Sequence, residues 1–172
     1  MSHSLVVNTP FCACMYRKVF FSFIQEVMRE FEHPTSLAAS VVVSTVGLSL
    51  HSARIWIFRS VITLHVNSYV TGSANGIEVY VANQNSISYD FGSALLQGLI
   101  SSTNLYNRGM KLNPELRVLK NATMPATLLE MGFISNSEDA ALLSESPELF
   151  AKGIYNGILD YFDLPSNETP KN

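Results

Sequence analysis

Apolar positions recur along the chain in two periods, and each period predicts its own kind of element. Val61-Ile62-Thr63-Leu64-His65-Val66 is a near-continuous apolar run, the pattern of a strand buried within a parallel sheet. Residues 67–75 are rich in Ser, Thr, Gly and Asn and predict a loop. Ile77-Glu78-Val79-Tyr80-Val81 predicts the next strand, Arg117-Val118-Leu119 a short one, and Ala126-Thr127-Leu128-Leu129-Glu130 another that ends in a carboxylate. Upstream, β-branched residues 40–46 predict a strand, and residues 51–59, which hold the only tryptophan, Trp56, a short helix.

Helical spacing appears elsewhere. Phe20, Ile24, Val27, Met28 and Phe31 share one face of a predicted helix over 19–32. His33-Pro34 ends it, because the residue before a proline is pushed out of helical geometry. Phe91, Leu95 and Leu99 predict a helix over 90–102, in which Gly92 and Gly98 lower the intrinsic propensity. Ser135-Asn136-Ser137-Glu138 has the spacing of a capping box, and Ser146-Pro147 marks one more helix start. Phe150, Ile154, Ile158 and Tyr161 form the buried stripe of that last helix.

Strands interleaved with helices predict an α/β domain, a mostly parallel twisted sheet flanked by helices. At 172 residues the chain fits a single domain. The expected division is an N-terminal part over 1–60, a core over 61–163 and a flexible polar tail over 164–172; the resemblance described below marks 1–60 as atypical. With 47% hydrophobic and 15% charged residues, a disordered chain is excluded. A net charge of −3 gives no basic footprint, so nucleic acid is not an expected partner. Residues 34–53 carry no formal charge but are rich in Ser and Thr, unlike a membrane span, so no membrane partner is expected. Arg17 and Lys18 precede the apolar run Val19-Phe20-Phe21-Ser22-Phe23-Ile24, but Gln25 and Glu26 follow without a cleavage pattern, so no signal peptide is predicted. Cys12 and Cys14, one residue apart, are read as reduced and structural.

Two positions put a polar group where a strand should be apolar. His65 alone reads as a hydrogen-bonded core histidine, and Glu130 alone as a strand-end residue facing water or an arginine. Together they suggest more. Ligands gather beyond the carboxyl ends of parallel strands, and a histidine and a glutamate meeting there can serve as metal ligand and general base. A serine or cysteine hydrolase lacks support, with no Gly-x-Ser-x-Gly elbow and no evident histidine partner for either cysteine.

Six blocks carry a resemblance. They are Leu64-His65-Val66-Asn67-Ser68, Gly76-Ile77-Glu78-Val79-Tyr80, Asn107-Arg108-Gly109-Met110-Lys111, Leu119-Lys120-Asn121, Met124-Pro125-Ala126, and Leu129-Glu130-Met131-Gly132-Phe133-Ile134-Ser135-Asn136. In this order and spacing the last two-thirds of the chain resembles the zinc-dependent N-acetylmuramoyl-L-alanine amidases of type 3, which are cell-wall hydrolases. The resemblance implies a zinc-exopeptidase-like α/β fold and one zinc ion. It implies that a zinc-activated water attacks the amide between N-acetylmuramic acid and L-alanine of peptidoglycan. It makes His65 a metal ligand and Glu130 the catalytic residue, with Asn67 and Arg108 lining the substrate groove and Glu78 supporting them without binding metal. A monomeric autolysin or endolysin is implied, secreted or at the cell wall, or cytoplasmic before lysis. The family's first histidine, in a Gly-His-Gly-Gly-like turn, and the glutamate after it have no match here. His3 and His33 stand in other contexts, and Glu26, Glu30 and Glu32 lie on the predicted helix. A homologue without turnover, truncated or lacking the first zinc ligands and at most binding wall peptide, is therefore the second reading.

Overall fold

The structure, a computed structural model, describes residues 42–44, 53–57, 60–84 and 86–164. The expected helix over 19–32, both cysteines, His3, His33 and nearly all of the expected tail lie outside the described residues. Strands β1 (Val42–Ser44), β2 (Ala53–Ile57), β3 (Ser60–Asn67), β4 (Ile77–Val81), β5 (Asn107–Leu112) and β6 (Ala126–Phe133) form one sheet in the order β1-β2-β3-β6-β4-β5. Helix α1 (Ile87–Thr103) lies between β4 and β5, and the helical turn α2 (Arg117–Lys120) precedes β6. Helices α3 (Ser137–Glu145) and α4 (Pro147–Tyr161) follow it.

The α/β class agrees with the sequence pattern, but the sheet is mixed where a mostly parallel one was expected. β3 is parallel to β6 and β4 to β5, whereas β1–β2, β2–β3 and β4–β6 are antiparallel. The reason lies in the connections. Parallel neighbours need a crossover of about a dozen residues, usually a helix. α1 supplies one between β4 and β5, while the irregular segment 68–76 after β3 has no helix and returns β4 in the opposite direction.

Two smaller expectations also change. Residues 53–57 are a strand and not a helix, pairing from Ala53↔Leu64 to Ile57↔Ser60; Ile55, Trp56 and Ile57 are strong strand formers. Arg117-Val118-Leu119 is a helical turn, in which Leu119 is buried beside Val61, Ala126 and Leu128; three apolar-rich residues are too few to show a period. β5, with its polar sequence, was not foreseen as a strand; it is an edge strand, where polar residues are ordinary.

The main core occupies one face of the sheet. Ile62, Leu64, Ile77, Val79, Leu129 and Met131 pack there against Phe91, Leu95 and Leu99 of α1 and Phe150, Ile154 and Ile158 of α4. The two helices approach closely through glycines. A Cβ at Gly98 would collide with the Gly153 carbonyl oxygen, and one at Gly157 would lie 2.7 Å from the Ala94 carbonyl oxygen. The opposite face is covered by a smaller cluster around Val61, Leu119, Ala126 and Leu128. Because side chains alternate across a strand, His65, Glu130, Glu78 and Tyr80 belong to this second face.

Candidate active site

Register assembles the site. β6 lies between β3 and β4, with Glu130 paired to His65 on one side and to Glu78 on the other. Residues in register share a face, so one imidazole and two carboxyl groups stand side by side across three strands. The order of strands, not their order in sequence, produces this meeting.

Two bulges then re-aim the neighbours. Between β4 and β5 the register passes from Ile77↔Asn107 to Glu78↔Gly109, leaving Arg108 as the extra residue. Gly109 has φ +81, a conformation that favours glycine, and its N–H donates to Asn107 Oδ1 at 2.8 Å. Between β3 and β6 the register passes from His65↔Glu130 to Asn67↔Phe133, and Gly132 takes φ +150 there. The outcome is a stacked contact, with the Arg108 guanidinium carbon 4.9 Å from the centre of the Phe133 ring.

Glu78 is the hub. Its Oε1 accepts from Asn67 Nδ2 at 2.9 Å and from the Tyr80 hydroxyl at 3.0 Å, while Oε2 accepts from Arg108 Nε at 2.9 Å. Its side chain is 5% exposed against 32% for Arg108. A buried carboxylate needs such donors, and three strands provide them. Burial, then the charge and hydrogen bond of Glu78, push the Tyr80 hydroxyl up to about 12, so it remains a donor at neutral pH. Asn67 is further fixed by the Ser68 N–H, which donates to its Oδ1 at 2.8 Å.

Glu130 has a different environment. The residue keeps partial exposure, but Oε2 is buried and has no hydrogen-bond partner among the described residues. Burial, and secondarily the charge of Glu78, raise its carboxyl pKa from 4.5 to about 8. Two carboxyl groups in neighbouring register positions thus have unlike surroundings, Glu78 served by three donors and Glu130 with one oxygen left without a partner among the described residues. A buried carboxyl whose pKa is raised toward neutrality is a candidate acid–base group.

Asp139, 1% exposed in the first turn of α3, closes the frame. Its Oδ2 accepts from the N–H groups of Gly76 and Phe133, both at 2.8 Å, tying the start of β4 to the end of β6. The cap of α3 is Asn136, whose Oδ1 accepts from Glu138 and Asp139 N–H; Ser135 instead accepts from Tyr69 N–H across the loop after β3.

The structure therefore brings together all four residues singled out in the sequence, His65, Asn67, Arg108 and Glu130. It adds Tyr80, Phe133 and Asp139, and it makes Glu78, expected as a support, the centre of the polar network. Tyr80 was within reach of the pattern, since it lies two positions from Glu78 and must share its face. Phe133 was not, because only the bulge reveals where its ring goes.

β6 runs on to Phe133, so Glu130 lies within the strand where the sequence had predicted its end. These features define an open-sheet α/β domain with a largely buried carboxyl beside a histidine on paired parallel strands. A family model described as N-acetylmuramoyl-L-alanine amidase matches residues 52–160. The chain belongs to that family. It is 35% identical over 113 residues to an uncharacterized cell wall amidase of Bacillus anthracis, covering 59% of this chain and 21% of the relative. It is 25% identical over 146 residues to an N-acetylmuramoyl-L-alanine amidase of Bacillus licheniformis, covering 82% of this chain and 56% of the relative. Among solved structures, the catalytic domain of an N-acetylmuramoyl-L-alanine amidase from Bacillus (Paenibacillus) polymyxa superposes with a TM-score of 0.55 at 32% identity. That match covers 60% of this chain and 57% of the other. The chain spans about half or less of the length of the first curated relatives it matches.

A zinc ion fits the described residues only in part. His65 is a suitable ligand beside the unpartnered Glu130 oxygen, yet no group of three or more His, Cys, Asp or Glu among the described residues could hold a metal ion. Catalytic zinc takes three protein ligands, so the described residues do not complete a site. No helix among them is long and apolar enough to cross a membrane.

Proposed function

We propose that this chain hydrolyses the amide between N-acetylmuramic acid and L-alanine in peptidoglycan, with Glu130 as the group that moves the proton. The observation that carries the reading is the placement of Glu130, in register with His65 and Glu78, with a buried Oε2 that has no partner among the described residues, inside the block most diagnostic of the family. That burial raises its pKa to about 8. An acid–base catalyst works best when its pKa lies near the working pH. Ionised, Glu130 takes a proton from the attacking water; protonated, it delivers that proton to the departing nitrogen of L-alanine. Breaking an amide requires both transfers, because the amine leaves poorly unless protonated. Asn67 and Arg108 line the groove beside it, held by Glu78. In this reading His65 would be one zinc ligand, and the protein acts as a monomer at the cell wall.

The proposal is tested by incubating muropeptides with wild-type protein and with Glu130→Gln. Cleavage by the wild type and its loss in the variant support it, and equal activity of the two would remove Glu130 from the reaction. The second reading, a homologue that binds wall peptide without turnover, is favoured by the incomplete ligand set among the described residues. It expects binding of muropeptide with no bound zinc and no cleavage by the wild type.

A further inference from the structure

The guanidinium of Arg108 is oriented more thoroughly than its ion pair requires. Nε is taken by Glu78 Oε2, and one face of the group lies on the Phe133 ring. Nη1 donates a long hydrogen bond, 3.4 Å, to the Asn75 carbonyl oxygen, and no acceptor for Nη2 is found among the described residues. Among those residues the outer Nη1/Nη2 edge therefore keeps N–H groups to offer as a fork, on a side chain still 32% exposed. Glu78 divides its charge among Asn67, Tyr80 and Arg108, so it does not fully claim this cation.

We propose that Arg108 recognises a free carboxylate on the peptide arm of the substrate through this Nη1/Nη2 edge. The inference rests on the amidase reading and names the chemical group that the same groove selects. The planar fork of arginine matches a carboxylate with two parallel hydrogen bonds, and such charge-assisted pairs are roughly twice as strong as neutral ones. Orienting contacts on Nε and on the ring face fix the plane in advance, which reduces the entropy lost on binding. Distance agrees as well. Arg108 stands at the bulge beside Gly109, two strands from Glu130, about 10 Å at the usual strand spacing. Its side chain turns back toward Glu78 and Phe133, inside that distance. A carboxylate one or two residues beyond the cut amide is displaced by about 3–7 Å of extended chain.

The test compares two muramoyl dipeptides that differ only in carrying a free carboxylate or its carboxamide at the second residue. Binding is measured by titration calorimetry with the full chain in a Glu130→Gln background, so that turnover does not intervene. The free carboxylate is expected to bind roughly tenfold more tightly, the factor that corresponds to one net charge-assisted bond. Adding Arg108→Gln should abolish the difference. Arg108→Lys, which keeps the charge facing Glu78 but has no fork, should lose most of it and serves if the glutamine variant does not fold. Equal affinities for the pair, no binding of either, or a preference that survives both variants would overturn the inference. Hydrolysis by the wild type separates the two ideas. Cleavage of both dipeptides without preference would remove only the carboxylate role, and preference without any cleavage would remove only the amidase reading.

Discussion

Glu78 and Glu130 are the same kind of residue in adjacent register positions, and their surroundings divide the work between them. Glu78 gathers an amide, a phenol and a guanidinium, whereas Glu130 has a buried oxygen with no partner among the described residues. Removing Glu78 leaves three donors without their acceptor. Glu78→Ala should lower the unfolding free energy by about 2 kcal/mol, below the ~3–5 of a fully buried pair because Arg108 is partly in water. Urea midpoints at unchanged slope would show it. The Glu130 carboxyl gives a signed pH effect. Its folded pKa of about 8 exceeds the ordinary 4.5, so between these values the folded chain binds a proton that the unfolded chain releases. Stability should therefore fall as pH rises through that window. In metal-free protein, urea midpoints at pH 5 and 8.5 should show this fall for the wild type, and Glu130→Gln should reduce it. Of this site, His65 and Glu130 were legible in the sequence because each breaks an apolar strand pattern. Asp139 was hidden, since an acidic residue in a first helical turn looks like ordinary capping until its burial is known.

At the scale of elements, connections and close approaches account for what the sequence pattern did and did not reveal. The long helices and the apolar strands β3, β4 and β6 were readable from period alone, as they contain enough residues to show one. β2, α2 and β5 are short or polar, and their states are decided by pairing with neighbours. Gly98 counted against a helix on propensity, yet it is where α1 meets Gly153 and Gly157 of α4. Contact geometry there outweighs propensity. Gly157→Ala should therefore destabilise the protein by about 1–3 kcal/mol, although alanine is favoured over glycine by about 1 kcal/mol in an open helix. Thermal unfolding of this variant decides between the two, and a raised midpoint would mean that the helices are not in such close contact. Asn136→Ala, which removes the acceptor for two N–H groups of α3, should cost about 1 kcal/mol in the same measurement.

For the molecule as a whole, the mixed sheet does two jobs with its two faces. One face builds the main core with α1 and α4, while the other presents His65, Glu130, Glu78 and their donors. The family was legible from six short blocks, and the structure shows why they lie far apart in sequence. Four of them lie on or beside the strands β3, β4, β5 and β6, and the other two are the end of α2 and the approach to β6, so they meet only when the sheet forms. Strand order could not be read from the chain, because period-two patterns fix faces but not neighbours. If His65 binds zinc as proposed, purified protein should carry about one zinc per chain, and His65→Ala should lose it by elemental analysis. The central claim concerns the reaction, and product analysis addresses it most directly. Purified peptidoglycan is digested with zinc-supplied wild-type chain and with Glu130→Gln, and the products are identified by mass spectrometry. The expected result is peptides with a free L-alanine amino terminus, released by the wild type and reduced at least ~100-fold in the variant. Equal release by both proteins, no release by the wild type, or cleavage at a different bond would contradict it.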